Sequence, residues 1–232
     1  MSLFALIPAA GAGSRMPAGA PKQFQSLAGK PMLWHAVRAL DIARIEMIFV
    51  VLAKDDRAFR RHDWSAFEGR IEPLYCGGAT RAESVHNGLI AAMAAIDADD
   101  WILVHDAARP CLPRADLERL IVECTGDAIG GILALPVAET VKRVAKDEAG
   151  VARVARSEDR SQSWLAQTPQ MFRVGLLAQA LHAAKGEVTD EASAVEQLGL
   201  QPRLVIGSRR NIKVTYAEDL AIAEAILGSA AQ

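Results

Sequence analysis

The amino-acid sequence predicts a doubly wound α/β fold around a mostly parallel sheet. Three features lead there. Short apolar runs alternate with amphipathic stretches of helical period along most of the chain. Several runs, Glu46 to Ala53 above all, are apolar almost throughout, as strands covered on both faces must be. Glycine pairs or an acidic residue follow the runs, at the strand ends where open sheets of this kind bind ligands. At 232 residues, 51% hydrophobic and 23% charged, the chain can bury one full-sized core. A single domain over 1–232 is expected, interrupted by an insertion at about 137–163.

The elements follow in order. Leu3 to Ile7 reads as a buried strand, and the segment from Pro8 through Ala9, Ala10, Gly11 and Ala12 to Gly13 offers backbone almost without side chains. Such a loop lets a phosphate chain lie against main-chain N–H groups, and Arg15 and Lys22 add two cations beside it. Pro31 opens a helix carrying Met32, Leu33, Ala36, Val37 and Leu40 on one face. The strand at 46–53 comes next, then a charged, irregular stretch at 54–70 that reads as a solvated connection. Ile71 to Cys76 is a short strand ending in Gly77 and Gly78, and Ala82 to Ile96 an alanine-rich helix. Trp101 to Asp106 is a further strand, 114–124 a helix, and Gly131 to Pro136 a fifth strand.

Residues 137–163 break the alternation. Glu139–Ala145 and Val151–Ala155 flank a polar turn and read as a protruding hairpin with little to form its own core. A lone hairpin is marginal in water, so this one is expected to pack against something else, such as a second subunit's arm. Gln167 to Gln170 then precedes a helix at about 173–184, and Thr189 is a candidate N-cap for the next helix. Leu204 to Ile206 is a late strand, 211–215 a connection, and 217–227 a closing helix.

Composition removes several function classes. A formal net charge of −2 argues against a general nucleic-acid binder. Cys76, Cys111 and Cys124 lack metal-ligand or C-x-x-C spacing, and an odd count points to a reducing, cytoplasmic setting. The first apolar run is too short to span a membrane and has no basic residue before it, so neither an anchor nor an export signal is expected. A dinucleotide fingerprint fails at its third glycine, where Met16 stands, and the next strand runs into Lys54 instead of an acid. Walker-type and G-x-S-x-G signatures are missing as well.

Asp106, at a strand end beside the small-residue loop, is a candidate Mg²⁺ ligand, because Mg²⁺ takes one or two carboxylates together with phosphate oxygens. The competing reading is a helix cap. Adjacent His105 should point the other way, into the sheet. Ser84 reads equally as a surface serine or as a hydroxyl set to bond a base edge. Arg109, Arg160, Lys213 and the Thr189–Glu191 turn would each, taken alone, be solvated surface groups.

Together the segments PAAGAGSRM, APKQF, GGATRAESV, LVHDAARPC, LPVAETVKR, EDRSQSWLAQTPQMF, TDEASAVE and NIKVT resemble the 2-C-methyl-D-erythritol 4-phosphate (MEP) cytidylyltransferase family, in family order and over essentially the whole chain. VHDAARP and TDEASA are the most specific of them. The resemblance implies a Rossmann-like fold of the nucleotide-diphospho-sugar transferase type with a hairpin dimerisation arm. It implies the reaction of MEP with CTP and Mg²⁺ in the non-mevalonate isoprenoid pathway, giving 4-diphosphocytidyl-2-C-methyl-D-erythritol and pyrophosphate. Arg15, Lys22, Arg160 and Lys213 would be catalytic. Pro8 to Gly13, Gly78, Ala79, Ser84, Asp106 and Ala107 would hold the nucleotide. Asp106, Arg109, Thr140, Arg160, Thr189 and Lys213 would hold MEP, with Thr140 and Arg160 supplied by the partner of a homodimer. Ala79 departs from relatives that are often polar there, which removes a side-chain contact to the nucleotide. The rival readings are a cytidylyltransferase for another polyol phosphate, such as ribitol 5-phosphate, and a non-catalytic nucleotide-binding regulator.

Overall fold

In the computed structural model, which describes residues 1–11, 21–147 and 149–230, the alternation of apolar runs becomes a layered sheet. The chain runs β1 (Leu3–Pro8), β2 (Ser26–Leu27), β3 (Lys30–Pro31), α1 (Met32–Leu40), β4 (Ile48–Val51), β5 (Ile71–Leu74), α2 (Arg81–Ala92), β6 (Trp101–Val104) and α3 (Arg114–Thr125). It continues through β7 (Gly130–Pro136), β8 (Lys142–Lys146), β9 (Ala152–Ser157), β10 (Trp164–Arg173), α4 (Val174–Ala183), α5 (Glu191–Glu196), β11 (Arg203–Ile206) and α6 (Glu218–Ala230). Seven strands form the main sheet in the order β11-β7-β10-β6-β1-β4-β5. Every neighbouring pair is parallel except the two that β10 makes, with β6 and with β7.

Period-two alternation within β1 builds the layers. Leu3, Ala5 and Ile7 face one side and pack with α1 and α3 through Leu33, Val37, Leu117 and Ile121. Phe4 and Leu6 face the other and pack with α2, α4 and α5 through Val85, Leu89, Leu177 and Val195. Gly88 lets α2 lie close to the sheet, since a Cβ there would collide with Val51 and Leu6. A smaller cluster of Leu27, Met32, Cys111, Val214 and Ala223 seats α6 against β2 and the segment after β6.

Three expectations need correcting. The 54–70 connection is not simply solvated. Two short 3₁₀ turns at Phe59–Arg61 and Ser65–Phe67 bury Phe59 and Phe67, and the Trp64 ring stacks on Phe59 with centroids 4.5 Å apart. The aromatics follow neither a helical nor a strand period, so charge dominated the reading of this stretch. Residues 164–173 are a strand and not merely the lead-in to a helix; β10 enters antiparallel between β6 and β7. Its register shifts between Ala166 and Gln170, and Pro169, which cannot donate to a ladder, sits in that break. The N-cap of α5 is Asp190 and not Thr189: the Asp190 carboxylate accepts from the Ser193 N–H in a capping box.

The hairpin stands as expected. β8 and β9 pair with each other in a sheet of their own, and every residue of both strands is exposed. Among the described residues no helix is long and apolar enough to cross a membrane.

Candidate active site

The strand order places a switch point at β1. From β1 the chain winds outward through β4 to β5, then returns to lay β6 on the other side of β1. The loops leaving β1 and β6 therefore diverge and open a crevice at the carboxyl end of the sheet. The loop after β5 closes one flank: the Gly77 N–H donates to the Leu52 carbonyl at 2.8 Å. A Cβ on Gly77 would fall against Ala10 and the Leu52 carbonyl, so only glycine permits this approach of the two loops. Gln23 pins the other flank, its side-chain amide donating to the Ala9 carbonyl at 2.6 Å.

These loops enclose a cavity of about 360 Å³ lined by residues 8–11, 22–23, 78–81, 84, 106–108 and 213. Pro8, Ala9, Ala10, Gly11, Lys22, Gly78, Ala79, Ser84, Asp106, Ala107 and Lys213, all drawn from the sequence, meet there. Ala12, Gly13 and Arg15 lie outside the described residues. Ser84 is no surface serine. It is buried in the first turn of α2, donating to the Thr80 carbonyl at 2.8 Å and accepting from the Gly78 N–H at 3.1 Å, which fixes the glycine backbone at the cavity wall. The Ala79 N–H is held by Glu83 at 2.8 Å.

Asp106 is buried at the cavity floor and bonded through both oxygens. Oδ1 accepts from Arg81 Nε at 2.8 Å, Oδ2 from Lys213 Nζ at 2.8 Å, and Arg109 Nε lies 4.0 Å from Oδ2. Burial by itself would push this carboxyl up, but Arg81, Lys213 and Arg109 together hold it well below the usual carboxylate range. It is ionised at any physiological pH. His105 turns into the sheet as expected; its Nε2 meets the Arg109 carbonyl at 3.0 Å and Nδ1 meets the Thr168 hydroxyl at 3.1 Å. Burial takes its pKa down to about 4, so the imidazole is neutral. No group of three or more His, Cys, Asp or Glu is arranged to hold a metal ion among the described residues.

A second cavity, of about 240 Å³, adjoins the first and shares Arg81, Asp106 and Lys213 with it. Arg109, Ala166, Gln167, Thr168, Gln170, Thr189 and Asp190 complete its wall. Arg109 is not the solvated group its sequence context allowed: it is 9% exposed and donates to the Asn211 carbonyl at 2.6 Å. Arg109 Nε, Gln167 Oε1 and Asn211 Oδ1 are buried without a hydrogen-bond partner in the protein. Such atoms are costly unless something polar comes to them; Arg109 and Gln167 belong to the wall of this recess, while Asn211 lies behind it.

Thr140 and Arg160 are not brought to either cavity of their own chain. Both are exposed on or beside the hairpin, where Arg160 donates to the Ala138 carbonyl. Sequence reading missed Arg81 and Glu191. The Arg81 guanidinium bonds the Glu191 carboxylate through two nitrogens, at 2.7 and 3.0 Å, while also holding Asp106. Both residues stand inside quoted motifs, GGATRAESV and TDEASAVE, but an Arg or Glu in the first turn of a helix reads as solvent-facing until its partner is known.

Comparison with known proteins gives consistent matches in sequence and in fold. A family model described as 2-C-methyl-D-erythritol 4-phosphate cytidylyltransferase matches residues 3–229. The chain is 54% identical to the protein of that name from Nitrosomonas eutropha, over 98% of this chain and 97% of that protein. It is 56% identical to the one from Laribacter hongkongensis, over 97% and 95%. Among solved structures, a 4-diphosphocytidyl-2C-methyl-D-erythritol synthase superposes with a TM-score of 0.83 at 40% identity, covering 97% of this chain and 98% of that one. The 2-C-methyl-D-erythritol 4-phosphate cytidylyltransferase from Thermus thermophilus gives 0.77 at 30% identity, covering 97% and 98%.

Proposed function

The chain belongs to the 2-C-methyl-D-erythritol 4-phosphate cytidylyltransferase family, and from that membership we propose how its two adjoining cavities divide the work. The activity is transfer of CMP from CTP to MEP, giving 4-diphosphocytidyl-2-C-methyl-D-erythritol and pyrophosphate in the non-mevalonate isoprenoid pathway. The observation that carries the division of labour is the Arg81–Asp106–Lys213 cluster, common to both recesses.

CTP takes the larger cavity. Its phosphates lie along the backbone of residues 8–13, and its base lies toward Gly78, Ala79 and Ser84. MEP takes the second cavity, where its hydroxyls and phosphate meet Arg109, Gln167, Thr189 and Lys213. An oxygen of the MEP phosphate attacks the α-phosphorus of CTP; that P–O bond forms as the bond to the β-phosphate oxygen breaks, and pyrophosphate leaves. Arg15 and Lys22 stabilise the charge gathering on the phosphates, and Lys213 and Arg160 orient the attacking phosphate. No side chain becomes covalently attached, so no activated nucleophile is required.

Mg²⁺ fits the donor set as a single-carboxylate site. Asp106 is ionised and lines the cavity, and the ammonium on its Oδ2 belongs to Lys213, whose side chain is 46% exposed. Asp106 would hold the ion together with phosphate oxygens and water, and the ion would neutralise polyphosphate charge. The hairpin, with Thr140 and Arg160, completes the second cavity of a partner subunit, which makes the working unit a homodimer. A cytoplasmic setting agrees with three unbridged cysteines, two of them, Cys111 and Cys124, buried with thiols pushed up to about 11 and 12.

Pyrophosphate release tests the reading. It should require CTP, Mg²⁺ and MEP together, with ribitol 5-phosphate, ATP, GTP and UTP as controls. Release with ribitol 5-phosphate but not with MEP would keep the chemistry and overturn the substrate. CTP binding without release on either acceptor would favour a regulator.

A further inference from the structure

We infer that Arg81 is a positioning residue that sets the nucleotide wall and the acceptor wall of the site in register by gripping Asp106 and Glu191 at once. The inference rests on the two-cavity reading above.

Arg81 begins α2, one residue beyond Thr80, whose hydroxyl caps that helix by accepting from the Glu83 N–H at 3.1 Å. Its backbone thus belongs to the wall that carries Gly78 and Ser84. Its guanidinium reaches a different part of the fold. Nη1 and Nη2 fork onto both oxygens of Glu191, which is fully buried in the first turn of α5 beside Thr189. Nε turns to Asp106 at the end of β6. Glu191 is held in place independently: Gln170 on β10 accepts from the Ala192 N–H at 2.8 Å and donates to Asp190 at 2.8 Å. A rigid strand and a rigid helix start therefore meet at one side chain.

Two facts separate this role from phosphate binding. All three Arg81 guanidinium nitrogens are engaged by two carboxylates, so its planar fork is already committed where it stands. Lys213, Lys22 and Arg109 are placed around the same cavities to meet phosphates instead. The planar fork also matters more than the charge. A lysine ammonium at this position keeps one positive charge near Glu191 but cannot span two carboxylates in fixed geometry. In-line transfer between two separately held substrates is sensitive to misplacement, with roughly 10²-fold lost for about 1 Å.

The test uses the full chain, with Arg81→Lys, Glu191→Gln and the double variant. Both single changes keep a partner at the buried site and avoid an isolated charge, and thermal unfolding identifies any variant that fails to fold. The expected result is a fall in kcat of about 10²-fold in each single variant. The Kd for CTP, measured by titration without acceptor, should stay within about threefold, and the double variant should be no worse than the poorer single by more than that factor. Unchanged kcat in Arg81→Lys overturns the inference. So do losses that multiply in the double variant, or a loss that appears wholly as weaker CTP binding. Absence of pyrophosphate release by the wild type overturns the two-cavity reading and this inference with it, whereas wild-type release with unaffected variants overturns the inference alone.

Discussion

The crevice at the sheet's carboxyl edge and the β8–β9 hairpin are both rich in charge, yet they hold it in opposite ways. In the crevice Asp106, Glu191 and Arg109 are buried, and each is oriented by groups from distant elements. In the hairpin, Arg143 pairs with Glu158 and Arg153 with Asp147 across open strands, while Val144 and Val154 are 64% and 66% exposed. Exposed pairs are screened and contribute little, whereas buried ones leave an uncompensated charge if one partner is lost. The crevice is therefore shaped by its own chain. Among the described residues the two hairpin strands bury none of their side chains, and Val144 and Val154 stand open to solvent.

The sharpest way to break this contrast is to truncate a side chain in the buried core and one in the hairpin. Phe67→Ala, at a fully buried ring, should cost about 3–5 kcal/mol in urea unfolding, while Val154→Ala in dilute protein should cost under about 0.5 kcal/mol. Similar costs would mean that the arm is supported within its own chain. Lys22→Ala should lower kcat by roughly 10²–10³ with a much smaller change in CTP affinity, as expected for a cation that acts on transition-state charge. Equal losses in both would assign Lys22 to ground-state binding.

The titration of the two regions differs as well. His105 is held neutral with its pKa lowered from 6.5 to about 4, so below pH 6.5 the unfolded chain takes up a proton that the folded chain refuses. Stability is then full above about pH 6.5 and falls by about 3 kcal/mol toward pH 4 on this account. His105→Gln should be flatter over that window; a parallel slope in urea midpoints would remove His105 as the cause. In the hairpin, side-chain bonds from Arg153 to Asp147 and from Arg143 to Glu158 hold those carboxyls below their ordinary values. Their contribution is present above the ordinary carboxylate pKa and is lost only as pH falls below it.

The smallest effect is the most specific to the arm. If Arg160 serves the partner's site and Lys213 its own, mixing Arg160→Ala and Lys213→Ala subunits restores one intact site in each mixed dimer. Random exchange should bring activity back to about a quarter of wild type. No recovery after exchange would place both residues in one site of one chain.

Much of this was legible in the chain before folding. Leu3–Ile7 and Trp101–Val104 announce buried strands by being apolar without interruption, and the helices at Met32 and Arg114 by their period. The small-residue loop with Lys22, and Asp106 after its strand, could be placed because the feature and its chemical reason are adjacent in sequence. Other features carry no local mark. Residues 164–173 form a strand because β6 and β7 offer hydrogen-bonding edges on either side, and their own sequence alternates poorly. Phe59 and Phe67 are core because space opens beneath α1, not because their neighbours are apolar.

Sequence by itself determined the layer architecture, the small-residue segment after β1 and the exposed arm, since each depends on residue type and period within a short window. Tertiary structure alone decided that Asp106 holds Lys213, that Arg109 is buried, and that Arg81 meets Glu191 across 110 positions. Charged side chains look alike in sequence whether water or another charge satisfies them. Which of the two applies depends on burial and on the partner's position, and neither exists until the sheet has brought distant strand ends together.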